Sequence, residues 1–328
     1  MIFWIASYPK SGNTWVRSLI CSYYYTNDGI FTDDKLLKNI GQFPEKKHFE
    51  KFDYNIAVPG DTTKFWIKAQ ESINQDRRFR FFKTHNFLGK INNTQFTNEQ
   101  NTLGAIYILR DPRNVITSVK NHFEMTYEEA LEFMLNERKF TYDYFKKNDY
   151  GDFQFLSSWE KNYQTWINNK MFPTLVIKYE NLISQTFVEL KKIVNFIDNL
   201  TKQKKDFDEK KAINVLSSTS FSNFKKFEST KGFSESLVSK TNERKIPFFH
   251  LGPKNNWKQI LDKDFQIKIN KIFEKNLNDI IFSFDDENVY FAKSININIP
   301  IEDKNFKDIT LLPELKNAFG NEIIKTKK

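Results

Sequence analysis

Short apolar runs alternate along the chain with segments whose apolar residues recur at helical spacing. The runs are rich in β-branched and aromatic residues and end at polar or proline positions, which predicts buried strands at residues 2–6, 79–82, 105–109 and 175–177. Helical spacing follows the first run at residues 15–20 and is clear again at 187–197. This alternation predicts an α/β fold, with a mainly parallel sheet flanked by helices on both faces.

The other segments are less regular. Residues 27–65 mix charged residues with Gly and Pro, which predicts loops and short helices. Helical patterns cover much of 127–170, where four aromatic residues, Phe155, Trp159, Tyr163 and Trp166, are predicted to line a core. The polar stretch 229–256 predicts a mobile loop. We expect one domain over residues 1–283, followed by a peripheral extension with a frayed end over 284–328.

Polar segments follow three of the predicted strands, at residues 8–14, 83–85 and 110–114. Ligands of parallel sheets bind at the carboxyl ends of the strands. We therefore expect these three segments to lie along one edge of the sheet and to share one ligand.

Composition narrows the range of functions. The 328 residues are 39% hydrophobic and 16% aromatic, enough for a sizeable core, and a single cysteine, Cys21, excludes an internal disulfide framework. No early segment is typical of a signal peptide or membrane span, so we expect a cytoplasmic protein. The net charge of +9 suits an anionic ligand, but lysine is spread throughout, so no nucleic-acid partner is expected. His/Cys clusters of the kind that bind structural zinc are absent from the sequence.

The first polar segment has the composition of an anion-binding loop. One glycine lets the backbone approach a ligand, and a helix N-terminus offers unpaired N–H groups with partial positive charge. Lys10 precedes that glycine, whereas the common triphosphate-binding loop places lysine after its second glycine. An ordinary strand-to-helix turn remains the alternative. The residues concerned are Lys10, Ser11, Gly12, Asn13 and Thr14.

This segment, residues 8–15, resembles the 5′-phosphosulfate loop of sulfotransferases that use 3′-phosphoadenosine 5′-phosphosulfate (PAPS). Lys83-Thr84-His85 resembles the catalytic motif of the cytosolic-type enzymes. The resemblance implies that His85 is the base and that Lys83, with Lys10, contacts the reacting group. A histidine suits this role because its reference pKa is about 6.5. A surface or core position remains the alternative for His85, and we interpret His122 as structural.

Further segments resemble the nucleotide-binding motifs of the same family. Arg110 and Ser118 match the motif for the 3′-phosphate, and a guanidinium can bind phosphate through two parallel hydrogen bonds. A structural ion pair of Arg110 with Asp111 is the alternative. Tyr179 matches a family tyrosine on the adenine side, and Trp15 matches the tryptophan that stacks on the base, with a core position as its alternative. Residues 219–221 resemble the family's Thr-Ser-Phe segment, which makes Thr219 and Phe221 further candidates for cofactor binding.

The family's closing segment is matched only in part by residues 252–258. The Arg-Lys pair that holds the 3′-phosphate in the family falls on His250 and Leu251, and Asn255 replaces the second glycine. Lys254 is the expected substitute for the missing charge, with Arg244 or Lys245 as alternatives.

The resemblance therefore implies a P-loop NTPase-like sulfotransferase fold and transfer of sulfate from PAPS to a hydroxyl or amine. The acceptor is expected to be a small molecule, a glycan or a lipid, and no metal is expected. A nucleotide or small-molecule kinase remains an alternative, as does a non-catalytic protein that binds nucleic acid or PAP (3′-phosphoadenosine 5′-phosphate). Neither the oligomeric state nor the acceptor is predicted.

Overall fold

A parallel sheet forms the centre of the computed structural model, which describes residues 1–91, 93–142, 148–203, 205–239 and 242–282. Within these ranges its strands are β1 (Ile2–Ser7), β2 (Gly41–Gln42), β3 (Arg80–Thr84), β6 (Thr102–Leu109) and β9 (Thr174–Lys178). They run in the order β2-β3-β1-β6-β9, and every neighbouring pair is parallel. Two antiparallel pairs lie outside the sheet: β4 (Lys90–Ile91) with β5 (Thr94–Gln95), and β7 (Phe140–Thr141) with β8 (Gln154–Phe155).

Helices cover both faces of the sheet. In chain order they are α1 (Asn13–Tyr25), α2 (Trp66–Asn74), α3 (Pro112–Phe123), α4 (Tyr127–Leu135), α5 (Trp159–Ile167), α6 (Tyr179–Ser184), α7 (Thr186–Thr201), α8 (Glu209–Ser218), α9 (Phe221–Lys231), α10 (Trp257–Ile260) and α11 (Lys263–Phe282). Short 3-10 helices occupy Asp34–Asn39, Lys46–His48, Asp61–Phe65 and Gly252–Lys254.

Side chains of β1 alternate between two cores because successive residues of a strand point to opposite faces. Trp4 packs with one buried cluster, whereas Phe3 and Ile5 pack with the other. The free Cys21 is buried in the second cluster. The predicted α/β architecture with a parallel, two-sided sheet is thus confirmed.

One helical prediction needs correction between residues 127 and 170. Two helices, α4 and α5, form there, and the pair β7–β8 separates them. Phe155 lies in β8 and not in a helix. The chain turns at Ser157, whose φ of 59° is left-handed, and α5 begins only after Ser158, which caps it by accepting from the Lys161 amide. The aromatic residues of α5 are buried as predicted.

The polar stretch at 229–256 contains more structure than a loop. The described residues between 232 and 256, called the cap segment below, include the buried Phe233 and Phe249 and an isolated antiparallel bridge between Val238 and Lys245. The extension 284–328 lies outside the described residues, as does the predicted domain boundary. Among the described residues, no helix combines the length and apolar character needed to cross a membrane.

Candidate active site

A cavity of about 580 Å³ opens at the carboxyl ends of β1, β3 and β6. All three predicted polar segments contribute to its wall, which confirms that they share one edge of the sheet. The predicted site residues that line it are Lys10, Gly12, Asn13, Thr14, Trp15, Lys83, His85, Arg110, Ser118, Tyr179, Thr219 and Phe221. Ser11 lies just behind the wall, and its buried Oγ has no hydrogen-bond partner among the described residues.

The anion loop is a tight turn between β1 and α1. Lys10 has φ 65° and Gly12 has φ 103°, both in the left-handed region. The Asn13 amide donates to the Ile5 carbonyl oxygen at 3.0 Å and to Ser7 Oγ at 3.2 Å, so it fastens the start of α1 to β1. The loop is therefore anchored by its own side chains, while Lys10 and Thr14 point to the cavity.

Gly12 is required for both its dihedral angles and its space. A Cβ at this position would lie 2.5 Å from Tyr179 Cδ2. We expect Gly12→Ala to lower the free energy of unfolding in urea by about 1–3 kcal/mol, the usual cost of a strained backbone. Gly41→Ala is the control, since a Cβ there meets Phe82 at 3.5 Å, an ordinary contact. Equal stability of the two variants would contradict this reading of the loop.

Lys10 is enclosed by aromatic groups. Its ammonium donates to His122 Nδ1 at 3.4 Å and lies 4.0 Å from the centroid of the Phe248 ring. Burial lowers the pKa of Lys10 to about 8, although the nearby Glu235 carboxylate opposes the shift. Lys10 is thus mostly charged at neutral pH but close to its titration range.

His85 is held in one tautomer. Its Nδ1 lies 2.8 Å from the Ser7 carbonyl oxygen, which can only accept, so Nδ1 carries the proton and Nε2 keeps its lone pair. The backbone is held as well, because the His85 amide donates to Gln154 Oε1 and the Asn162 amide donates to the His85 carbonyl. Burial, reinforced by Lys83, lowers the pKa of His85 to about 4. The ring is therefore neutral at physiological pH and able to accept a proton.

Arg110 connects the anion loop to the predicted nucleotide side. Its Nη1 donates to the Lys10 carbonyl oxygen at 2.8 Å and to Ser118 Oγ at 3.3 Å, and its guanidinium lies 4.1 Å from the Tyr179 ring centroid. Tyr179 in turn meets Trp15 edge-to-face at 5.9 Å. Arg110 Nε is buried without a partner among the described residues, so it remains available to an anion. No Arg110–Asp111 ion pair is found among these residues; Asp111 pairs with Arg113 instead.

The closing segment departs from the sequence-based expectation. Lys254, Arg244 and Lys245 are exposed, and none of the three lines the cavity. The side chain of Asn255 points inward instead: it donates to Ser118 Oγ at 3.0 Å and accepts from Thr117 Oγ1 at 2.6 Å. The assignment of Lys254 to the site is therefore not supported by its position. An amide can make these bonds where glycine has no side chain.

Three residues of the site were not predicted from the sequence. Glu235 reaches the cavity from the cap segment and accepts from Thr14 Oγ1 at 2.8 Å. Arg17, one helical turn after Thr14, donates to the same carboxylate at 2.6 Å. His122, interpreted above as structural, lines the cavity beside Lys10. Only Arg17 had a signal, its i,i+3 spacing from Thr14; nothing in the sequence connects Glu235 with a residue 218 positions away.

Among the residues that the structure describes, no three His, Cys, Asp or Glu side chains are grouped so that they could hold a metal ion. Apart from the Glu235 carboxylate, the polar groups that face the cavity are cations, hydroxyls, amides and backbone groups, together with three histidines. This donor set is typical of a site for a phosphate- or sulfate-bearing ligand.

The fold and the site together define a P-loop-like α/β protein with a cavity suited to an anionic ligand at the end of its first strand. The chain matches the sulfotransferase domain family over residues 2–280 and belongs to that family. It is accordingly an enzyme of the sulfotransferase class.

Curated relatives agree with this assignment. A luciferin sulfotransferase of Photinus pyralis is 24% identical over 288 residues, which cover 83% of this chain and 70% of that protein. Sulfotransferase 1 family member D1 of Mus musculus is also 24% identical, over 294 residues that cover 86% of this chain and 85% of that protein.

Solved structures show the same fold at lower identity. The mouse sulfotransferase SULT7A1, crystallised with PAP, has a TM-score of 0.50 and 20% identity and covers 84% of this chain and 83% of its own. A retinol dehydratase in complex with androsterone and PAP has a TM-score of 0.51 and 15% identity, with coverages of 85% and 81%.

Proposed function

We propose that this protein transfers the sulfuryl group of PAPS to a hydroxyl of a small ring-bearing molecule, with His85 as the general base. One observation carries the proposal: a histidine fixed with Nε2 unprotonated lines the same cavity as Lys83 and the anion loop. A passive nucleotide-binding protein does not require such a base.

The residues present suit PAPS. Ser11 Oγ and Arg110 Nε are buried and lack partners among the described residues. Ser11 belongs to the anion loop, and Arg110 donates to the Lys10 carbonyl oxygen of the same loop. Lys10 and Lys83 supply two cations for the 5′-phosphosulfate, and the N–H groups at the start of α1 add partial positive charge. Structures of similar fold contain PAP, which supports the same co-substrate here.

Every candidate residue except Lys254 has a position that fits its proposed role. We assign the 3′-phosphate to Arg110 and Ser118, which hydrogen-bond to each other, and the adenine side to Trp15, Tyr179, Thr219 and Phe221, which line the cavity. Lys254 is left out of the site. His250 and Leu251 line the cavity where the family has its Arg-Lys pair.

The chemistry requires a base and a cationic environment. When bound, PAPS supplies a sulfuryl group on a phosphate leaving group. His85 Nε2 takes the proton of the acceptor hydroxyl, and Lys10 and Lys83 stabilise the negative charge that develops around the sulfuryl oxygens. The bond from Nδ1 to the Ser7 carbonyl keeps the ring oriented while the proton moves.

The acceptor side of the cavity is indicated by aromatic residues to which we assign no role in binding PAPS. Phe123, Tyr142 and Phe248 line the cavity, and the Phe248 ring lies against the Lys10 ammonium. Such a wall favours a flat or alicyclic apolar body with one hydroxyl over an extended, strongly polar glycan. The name of one relative mentions luciferin, and a structural neighbour holds androsterone, both ring-bearing small molecules.

A screen with labelled PAPS tests this function. The protein is incubated with phenols, alicyclic alcohols, simple sugars and amines, and label transferred to each acceptor is counted. We expect labelled product from phenols or alicyclic alcohols and none with labelled ATP. Transfer from ATP alone would favour the kinase, and transfer only to sugars would contradict the acceptor class.

The lowered pKa of Lys10 makes a separate prediction for co-substrate binding. Because an anion binds the charged lysine, calorimetric affinity for PAP is expected to fall by up to about tenfold per pH unit above pH 8. Lys10→Arg keeps its charge throughout and should remove most of this decline. Burial also lowers the pKa of Lys83, so any decline left in the variant is assigned to Lys83. A pH-independent affinity in the wild type would contradict the role of Lys10.

A further inference from the structure

Glu235 places a carboxylate against the cations of the anion loop. One oxygen accepts from Arg17 Nη2 at 2.6 Å and from Lys83 Nζ at 3.0 Å, and the other accepts from Thr14 Oγ1 at 2.8 Å. Thr14, Arg17 and Lys83 therefore share one internal anion, the Glu235 carboxylate. Thr14, Lys83 and Glu235 line the cavity, whereas Arg17 lies behind Glu235 and is only 2% exposed.

The backbone on both sides of Glu235 is held in place. The Ser234 amide donates to Asp34 Oδ2 at 2.8 Å, and Ser236 Oγ donates to Glu228 at 2.8 Å. Phe233 packs between two aromatic rings of the cap segment, each at 4.8 Å. The carboxylate is thus directed to the loop by a folded segment, and its own rotatable bonds are enough to move it away.

The charges explain why an anion is needed here. Arg17 and Lys83 are removed from most solvent, and two neighbouring buried cations without a counter-ion are costly. Burial alone would raise the pKa of Glu235, but Arg17 and Lys83 hold it well below its usual value. Glu235 is therefore ionised at neutral pH and balances this charge in the ligand-free protein.

We propose that Thr14, Arg17 and Lys83 form the subsite for the phosphosulfate end of the co-substrate, and that Glu235 occupies this subsite until the co-substrate displaces it. The inference rests on the proposed use of PAPS. It adds Arg17 as a binding residue and makes the carboxylate of Glu235 a competitor of the co-substrate.

Two features favour exchange over a permanent role for Glu235. A phosphate or sulfuryl oxygen offers the same charge and acceptor geometry as a carboxylate oxygen. Arg17 Nε is buried without a partner among the described residues, so the guanidinium has a donor that Glu235 does not use. A larger anion with three oxygens can engage it.

Calorimetric titration of the full chain with PAP tests the exchange. Glu235→Gln keeps the shape but removes the competing charge, so we expect PAP to bind about tenfold tighter or more, a gain of about 1.4 kcal/mol. The ligand-free variant should melt at a lower temperature than the wild type, and PAP should restore most of the difference. Glu243→Gln is the control: Glu243 belongs to the same segment but is exposed and does not line the cavity.

The outcomes separate the inference from the proposed function. If the wild type binds PAP and Glu235→Gln binds it equally or more weakly, Glu235 keeps its bonds in the complex and the exchange is wrong. If the wild type does not bind PAP at all, the proposed co-substrate fails, and the inference fails with it. A similar gain in Glu243→Gln would show that general charge is responsible and would also overturn the exchange.

Arg17 is tested in the background of Glu235→Gln, where its carboxylate partner is already gone. If Arg17 binds the co-substrate, adding Arg17→Met should weaken PAP binding about tenfold or more, and Arg17→Lys should weaken it less. If Arg17 serves only as the partner of Glu235, neither addition should change the affinity. Melting temperatures of the variants establish that each is folded.

Discussion

His85→Ala is expected to slow sulfuryl transfer by about 10²–10⁴-fold while leaving PAP binding within a few-fold of the wild type. The reason is the position of the ring: Nδ1–H is bonded to the Ser7 carbonyl, and the pKa of about 4 keeps Nε2 unprotonated. Removing the ring removes the proton acceptor but none of the cations that bind the co-substrate. Initial rates with labelled PAPS and an acceptor from the screen measure the first effect, and calorimetry measures the second.

His122 provides the matched comparison for His85. Both rings line the cavity, but the Nδ1 of His122 accepts from the Lys10 ammonium, and burial and Lys10 hold its pKa well below the usual value. His122→Ala removes this hydrogen bond to Lys10 and is therefore expected to change the binding of PAPS rather than the transfer of the proton. A larger rate loss in His122→Ala than in His85→Ala, at saturating PAPS, would move the base from residue 85 to residue 122.

Arg110→Lys is expected to weaken PAP binding about 10- to 100-fold, because a charge-assisted contact to phosphate contributes about 1.5–3 kcal/mol. The effect should be confined to ligands with a 3′-phosphate. Arg110 bonds to Ser118, our second candidate for that phosphate, and its Nε has no partner among the described residues. Adenosine 5′-phosphosulfate, which lacks the 3′-phosphate, should bind both proteins about equally. Competition calorimetry with the two nucleotides gives the comparison.

Arg113→Lys is the control for this variant. Arg113 lies three residues further along the chain, pairs with Asp111 at 2.7 Å and stacks on Trp257 at 4.3 Å, and it does not line the cavity. We expect Arg113→Lys to keep the wild-type preference between PAP and adenosine 5′-phosphosulfate. Equal losses of PAP and adenosine 5′-phosphosulfate in Arg110→Lys would show that Arg110 only supports the Lys10 carbonyl and does not recognise the 3′-phosphate.

The sheet and the strand-end part of the site were predictable because they depend on local sequence. Continuous apolar runs specify β1 and β6, and the rule that strand ends meet at one edge brings Lys10, His85 and Arg110 together. The start of α3 also follows from local sequence, because Asp111 caps the helix and Pro112 suits its first turn.

The contribution of the cap segment was not predictable. Glu235 looks like one more charged residue in a polar stretch, and only tertiary packing of Phe233 brings it to Arg17. The same packing leaves Lys254 exposed and turns the Asn255 side chain inward. The resemblance to the family had instead assigned Lys254 to the site and given Asn255 no role. Charge within a loop does not reveal which side chains face the ligand, because that depends on contacts far apart in the chain.

The most direct test of the account is a single turnover with the protein in excess over sulfur-labelled PAPS, with and without an acceptor from the screen. We predict that the label moves to the acceptor in one phase in the wild type and, over the same time, remains on PAPS in His85→Ala, although both proteins bind the nucleotide. Label that stays on PAPS in the wild type, or that transfers equally fast in His85→Ala, would contradict it.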